Sequence, residues 1–150
     1  MIKKLLLVVA VLSLTLTACG SKPASSDGAS KPDGMYKAET DDATVELDYG
    51  FRDTLEVEYK GGKVVAVTFE SYDKDGNKKS ELDPATYPMD PPPAEWIPML
   101  QDNILKAGVS SAVDTVSGAS NSSSNAIALF KAIETEGVAG ETLSVNNTNR

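Results

Sequence analysis

What this chain offers for chemistry is carboxylates, hydroxyls, lysines, a few aromatics and whatever cofactor it borrows. Its 150 residues include no histidine and a single cysteine, Cys19. A histidine general base, a Ser/His/Asp triad, an internal disulfide, a Cys/His zinc cluster and a C-x-x-C-H haem attachment are therefore excluded. The formal net charge of −8 argues against a nucleic-acid footprint. The informative stretch is Val113-Asp114-Thr115-Val116-Ser117-Gly118-Ala119-Ser120-Asn121-Ser122, where small residues cluster directly ahead of a helical pattern. Gly118 and Ala119 would let the backbone come close to a ligand, and Ser120 falls at or near the helix N-cap. Unpaired N–H groups of a first helical turn, added to the positive end of the helix dipole, attract an anion such as a phosphate. The same residues also fit a serine-rich capping loop with no ligand.

The elements that must position this run are readable from periodicity. Asp33-Gly34 signals a turn before an extended Met35 to Glu39. Val45, Leu47 and Tyr49 alternate with acids and predict a strand, as do Leu55, Val57 and Tyr59. Gly61-Gly62 connects the latter to Val64, Val65, Val67 and Phe69 as a hairpin. Leu82 to Pro93 carries five prolines and must be a loop. Glu95 to Ala107 predicts one helix, stopped by Gly108, and Asn121 to Glu136 a second, stopped by Gly137. The expected fold is α+β: a twisted antiparallel sheet packed by two helices over residues 33–137, followed by a polar, frayed tail at 138–150. Asp73-x-Asp75-Gly76-Asn77 has some calcium-loop character, but it lacks the downstream bidentate glutamate and reads as a plain turn.

The first eighteen residues read as an export signal. Lys3 and Lys4 precede an apolar stretch from Leu5 to Leu16, too short to span a bilayer comfortably. Leu16-Thr17-Ala18-Cys19 resembles the bacterial lipobox, which implies cleavage before Cys19 and lipidation of its thiol. Acyl chains contribute about 0.8 kcal/mol per buried methylene to anchoring. Removing a segment with two lysines and no acids takes the net charge from −8 to −10, so the domain should stand off an anionic membrane. Residues 19–32 are Ser/Gly/Lys/Pro-rich and read as a lipidated cysteine followed by a flexible linker with an r.m.s. span of roughly 20 Å. The expected place is the outer face of a bacterial cytoplasmic membrane, periplasmic or at the cell surface.

Asp114-x-x-Ser117-Gly118-Ala119-Ser120 resembles the flavinylation motif of the FMN-binding domain family, which includes flavin subunits of the sodium-pumping NADH:quinone reductase and the Rnf complex. It also includes small lipoproteins of extracellular electron transfer. Asp33-Gly34-x-Tyr36, Glu56-Val57-x-Tyr59-x-Gly61-Gly62-Lys63-Val64, and Pro88-Met89-Asp90-Pro91 with Trp96-Ile97-Pro98-x-Leu100 extend the resemblance over nearly all of the folded part. The resemblance implies that a flavin transferase, using FAD and Mg²⁺, joins FMN through its phosphate to Ser120. Asp114, Ser117, Gly118 and Ala119 would then be the recognition and phosphate-binding residues. Ser120 stands where the family usually has threonine, and Ser122 is a second hydroxyl close by. The loop Tyr87-Pro88-Met89 corresponds in position to a flavin-contacting loop of the larger relatives. Tyr72 and Trp96 are weaker candidates that read better as core aromatics, and Tyr49-Gly50-Phe51 fits a loop wall or a strand end. Covalent attachment suits a setting where free cofactor is too dilute to keep a site filled. The implied role is an electron carrier, not an enzyme with its own substrate, relaying electrons from a quinol-linked membrane donor to an extracytoplasmic acceptor. The alternative is a non-redox surface lipoprotein that keeps the fold as a binding module without flavin.

Overall fold

A computed structural model describes residues 30–150. The signal peptide, the lipobox with Cys19 and the linker up to residue 29 lie outside the described residues. Strand β1 (Gly34–Thr40) leads through helix α1 (Asp42–Leu47) to β2 (Arg52–Lys60) and β3 (Lys63–Tyr72). Helices α2 (Pro93–Ala107) and α3 (Ser120–Glu136) follow, and β4 (Thr142–Val145) closes the order. The sheet runs β3-β2-β1-β4. β1, β2 and β3 are antiparallel neighbours, whereas β4 lies parallel to β1. The fold class is α+β, with a mixed sheet and three α-helices in place of the purely antiparallel sheet and two helices expected.

The β2–β3 hairpin forms where two glycines allow a tight turn. Gly61 and Gly62 have φ of 58° and 73°, the backbone a two-residue hairpin loop of matching twist requires. Alternation along β2 buries Leu55, Val57 and Tyr59 and leaves Glu56 and Glu58 facing outward. Against that face pack Trp96, Ile97, Leu100 and Ile104 of α2 and Leu129, Phe130 and Ile133 of α3. Trp96 is fully buried in this core. α2 begins with Pro93, whose missing N–H is harmless in a first turn, and ends at Gly108 in the left-handed conformation.

Two sequence expectations are corrected. Residues 45–49 form no strand, because Asp41 caps a short helix ahead of them: its Oδ1 accepts from the Thr44 N–H at 2.9 Å and from the Thr44 hydroxyl at 2.7 Å. Only Thr44 of α1 is buried, so Leu47 and the following Tyr49 are left exposed. The tail is not frayed either. β4 pairs with the free edge of β1 from Lys37↔Thr142 to Thr40↔Val145, and the Asn147 N–H donates to the Thr44 hydroxyl at 2.9 Å.

Candidate functional site

The inward face of the sheet changes character at one end. Apolar rows give way to a polar row, Thr40, Asp53 and Ser71, adjacent across β1, β2 and β3 and all buried. The Asp53 N–H donates to the Thr40 hydroxyl at 3.1 Å, and the Ser71 hydroxyl donates to an Asp53 carboxylate oxygen. The other Asp53 oxygen accepts from Asn125 Nδ2 of α3 at 2.8 Å. Asn125 also donates to Asp48 at 2.6 Å, and its carbonyl oxygen accepts from Asn147 at 2.8 Å and Arg150 at 3.2 Å. Every hydrogen-bonding position of that amide is filled. Arg150 then pairs with Asp48 at 2.5 Å, with both side chains largely buried. Burial pushes the Asp53 carboxyl up to about 6, against the pull of its Ser71 and Asn125 hydrogen bonds.

Above this polar layer opens a cleft of about 300 Å³. One wall is the start of α3: Gly118, Ala119, Ser120, Asn121 and Ser122. Ala119 is the N-cap residue and makes no side-chain cap bond, so the first-turn N–H groups of this 17-residue helix have no capping side chain. Ser120 sits one position inside the cap and is exposed, whereas Ser122 is buried. Tyr49, Tyr87 and Met89 also line it, and Asp48 and Lys79 complete the lining. Tyr87 packs edge-on to Phe51 with centroids 5.7 Å apart. Tyr49 takes a left-handed backbone conformation, φ 58°, with 83% of its surface exposed. A non-glycine residue held there is a feature of functional walls and tight turns alike.

Lys79 is the unusual member of this lining. It is only 5% exposed, yet among the described residues its ammonium has no hydrogen-bond or ion-pair partner. It lies 4.3 Å from the centre of the Phe51 ring and 5.7 Å from that of Tyr87. Burial lowers its pKa, and the charges of Asp53, Asp48 and Glu70 pull it back up. The ammonium keeps some access to the cleft, since Trp96 Nε1 is the one fully buried side-chain N or O without a partner among the described residues, and an anion bound there would be attracted to it.

The residues singled out in the sequence divide accordingly. Gly118, Ala119, Ser120, Ser122, Tyr87 and Met89 come together around the cleft. Asp114, Ser117 and Pro88 are exposed and lie outside its lining; the Asp114 carbonyl accepts from Asn103 at 2.9 Å. Gly118 has a packing reason for its lack of a side chain. A Cβ there would sit 2.3 Å from the Asp90 carbonyl oxygen, so the glycine admits the neighbouring loop and not only a ligand. Tyr72 lines a separate, smaller cavity beside α2. Lys79 and Asp48 were not foreseen. Nothing in Lys78-Lys79 marks which lysine turns inward, and Asp48 enters the site through the α1 helix that replaces the expected strand.

No family model matches the chain, and no curated protein matches it. The fold is similar to that in a crystal structure of the CPE2226 protein from Clostridium perfringens, with a TM-score of 0.67 over 77% of this chain and 97% of that one. The two are 23% identical, so the likeness is one of fold.

Proposed function

We propose that this protein is an extracytoplasmic, lipid-anchored flavoprotein electron carrier that holds FMN by a phosphodiester to Ser120. The observation that carries the proposal is the pairing, in one cleft, of an exposed hydroxyl at an uncapped helix start with an aromatic wall and a buried, unpaired cation. These residues suit the group. A phosphate on Ser120 would meet the free N–H groups and positive dipole end of α3. Tyr49, Tyr87 and Met89 offer flat and apolar surface to a ring, and Lys79 offers charge. Ser120 is favoured over Ser122 as the acceptor, because a flavin transferase using FAD and Mg²⁺ must reach the hydroxyl and Ser122 is buried. When bound, FMN supplies one- and two-electron transfer; the polypeptide's part is to hold it, cover one face and tune its potential. The lipid anchor at Cys19 and a quinol-linked membrane donor complete the proposal, and both rest on the sequence resemblance.

Co-expression of the chain with a flavin transferase tests it. Intact mass should rise by one FMN less water, with in-gel fluorescence that survives denaturation. Ser120→Ala should abolish both signals, and Ser122→Ala should keep them. An adduct that persists in Ser120→Ala overturns the assignment, and a wild-type chain without adduct leaves only the non-redox binding module.

A further inference from the structure

The cleft has two positive features with different surroundings. The α3 start is exposed and polar, whereas the Lys79 ammonium lies over the Phe51 ring and near Tyr87, with Asp53, Asp48 and Glu70 close enough to act on its charge. A phosphate held at Ser120 would be served by the first. The second makes no ion pair and is compensated only in part, by the nearby carboxylates of Asp53, Asp48 and Glu70. A flat ring seated against Tyr87 and Met89, which line the same cleft, would lie beside that ammonium.

We propose that Lys79 faces the ring system of the bound flavin and raises its reduction potential by stabilising the negative charge the ring gains on taking up two electrons and one proton. This inference rests on the cleft being a flavin site. The electrons come from an external reductant and the proton from solvent, so no bond to the protein forms or breaks. A positive charge on this side acts only on the reduced form, since the oxidised ring is neutral, and it therefore shifts the equilibrium instead of merely tightening attachment. Asp48, Asp53 and Glu70 are the acids that share its field, which gives the proposal a second handle: neutralising Asp53 leaves the ammonium less compensated.

The experiment is a reductive titration at pH 8 with dithionite and a reference dye, on chains loaded by a flavin transferase. On the flavin-bearing fraction, read by intact mass, the informative variants are Lys79→Met and Lys79→Gln. They should disfavour the reduced form at least tenfold, a fall of about 30 mV in the two-electron midpoint potential. Lys79→Arg should stay near wild type, and Asp53→Asn should move the potential upward. If Lys79→Met fails to fold, the Gln and Asp53→Asn variants decide. Midpoints that coincide in wild type, Lys79→Gln and Asp53→Asn overturn the inference and leave the flavin site standing. A wild-type chain that takes no flavin overturns both, and the mass spectrum distinguishes the two failures.

Discussion

Replacing Gly118 by alanine should damage fold and site together, and a second glycine supplies the control. Gly118 has φ +85°, and a Cβ built on it falls 2.3 Å from the Asp90 carbonyl oxygen and 3.2 Å from Pro91 Cδ. Gly76 has almost the same backbone, φ +83°, with nothing within 4 Å. Both alanines carry the left-handed penalty of about 1–2 kcal/mol, and both gain the same small benefit from a stiffer unfolded chain. Only Gly118→Ala adds a collision with backbone, worth about 1–3 kcal/mol by analogy with overpacked cores. The expected costs are about 2–5 kcal/mol for Gly118→Ala and about 1–2 kcal/mol for Gly76→Ala. These correspond to Tm losses of roughly 10 °C and roughly 4 °C. Urea titrations of the two variants, with equal m-values, measure the difference directly. Because Asp90 follows Met89 and Gly118 precedes Ser120 by two residues, relief of the collision disturbs the cleft lining on one side or the other, so the yield of flavin adduct should fall with Gly118→Ala and not with Gly76→Ala. Equal stability losses in the two variants would refute the reasoning, since the Asp90 contact would then carry no energy.

Two further outcomes follow from the polar layer. Asp53 is an acid whose folded pKa is raised to about 6 from 3.8, so the folded state binds the proton more tightly than the unfolded one. Its contribution is fully present below pH 4 and lost as pH rises through about 6, a change of order 3 kcal/mol. Asp41 and Asp73 have lowered pKa values and act in the opposite sense at lower pH. Comparing wild type with Asp53→Asn isolates the effect: the wild type should lose stability relative to the variant between pH 4.5 and pH 7.5, and parallel profiles would contradict it. Arg150→Ala removes one partner of a buried pair 102 residues apart in sequence. It should cost about 3 kcal/mol in chemical denaturation, and a loss under 1 kcal/mol would mean that the tail does not hold Asp48.

Periodicity found what one segment can specify alone. The β2–β3 hairpin, α2 and α3 stand where alternation, the glycine pair and the helical spacing put them, since each buries one face against the same core. The start of α3 was legible for the same reason: small and hydroxyl residues ahead of a helix announce a capping or binding turn whatever the fold. The misreadings share a different cause. Val45, Leu47 and Tyr49 alternate like a strand, but a six-residue helix buries too little to impose its own period, and the Asp41 cap decides the matter locally. β4 depends on a parallel edge more than a hundred residues away, which no pattern within Thr142–Val145 encodes. Asp53 lies in the inward phase of its strand, between Phe51 and Leu55. A carboxylate in that phase looks like a break in the pattern until Ser71 and Asn125 are seen beside it.

The polar layer is also the strongest physical reason to regard this end of the molecule as a site. An interior selected for stability alone would continue the apolar rows of the sheet through positions 40, 53 and 71, because well-packed apolar groups usually equal or exceed a buried ionic cluster of the same volume. This chain instead buries Asp48, Asp53 and Lys79 and nearly buries Arg150, and it gathers the last through a strand and tail that return to the far edge of the sheet. Three of the four charges have hydrogen-bonded partners. The fourth, Lys79, has no hydrogen-bond or ion-pair partner among the described residues, and it lines the cleft together with Asp48. The two acids and two bases balance as a set, so Asp53 and Asp48 compensate Lys79 in part, and its place in the cleft lining leaves it able to attract a ligand that carries, or acquires, negative charge.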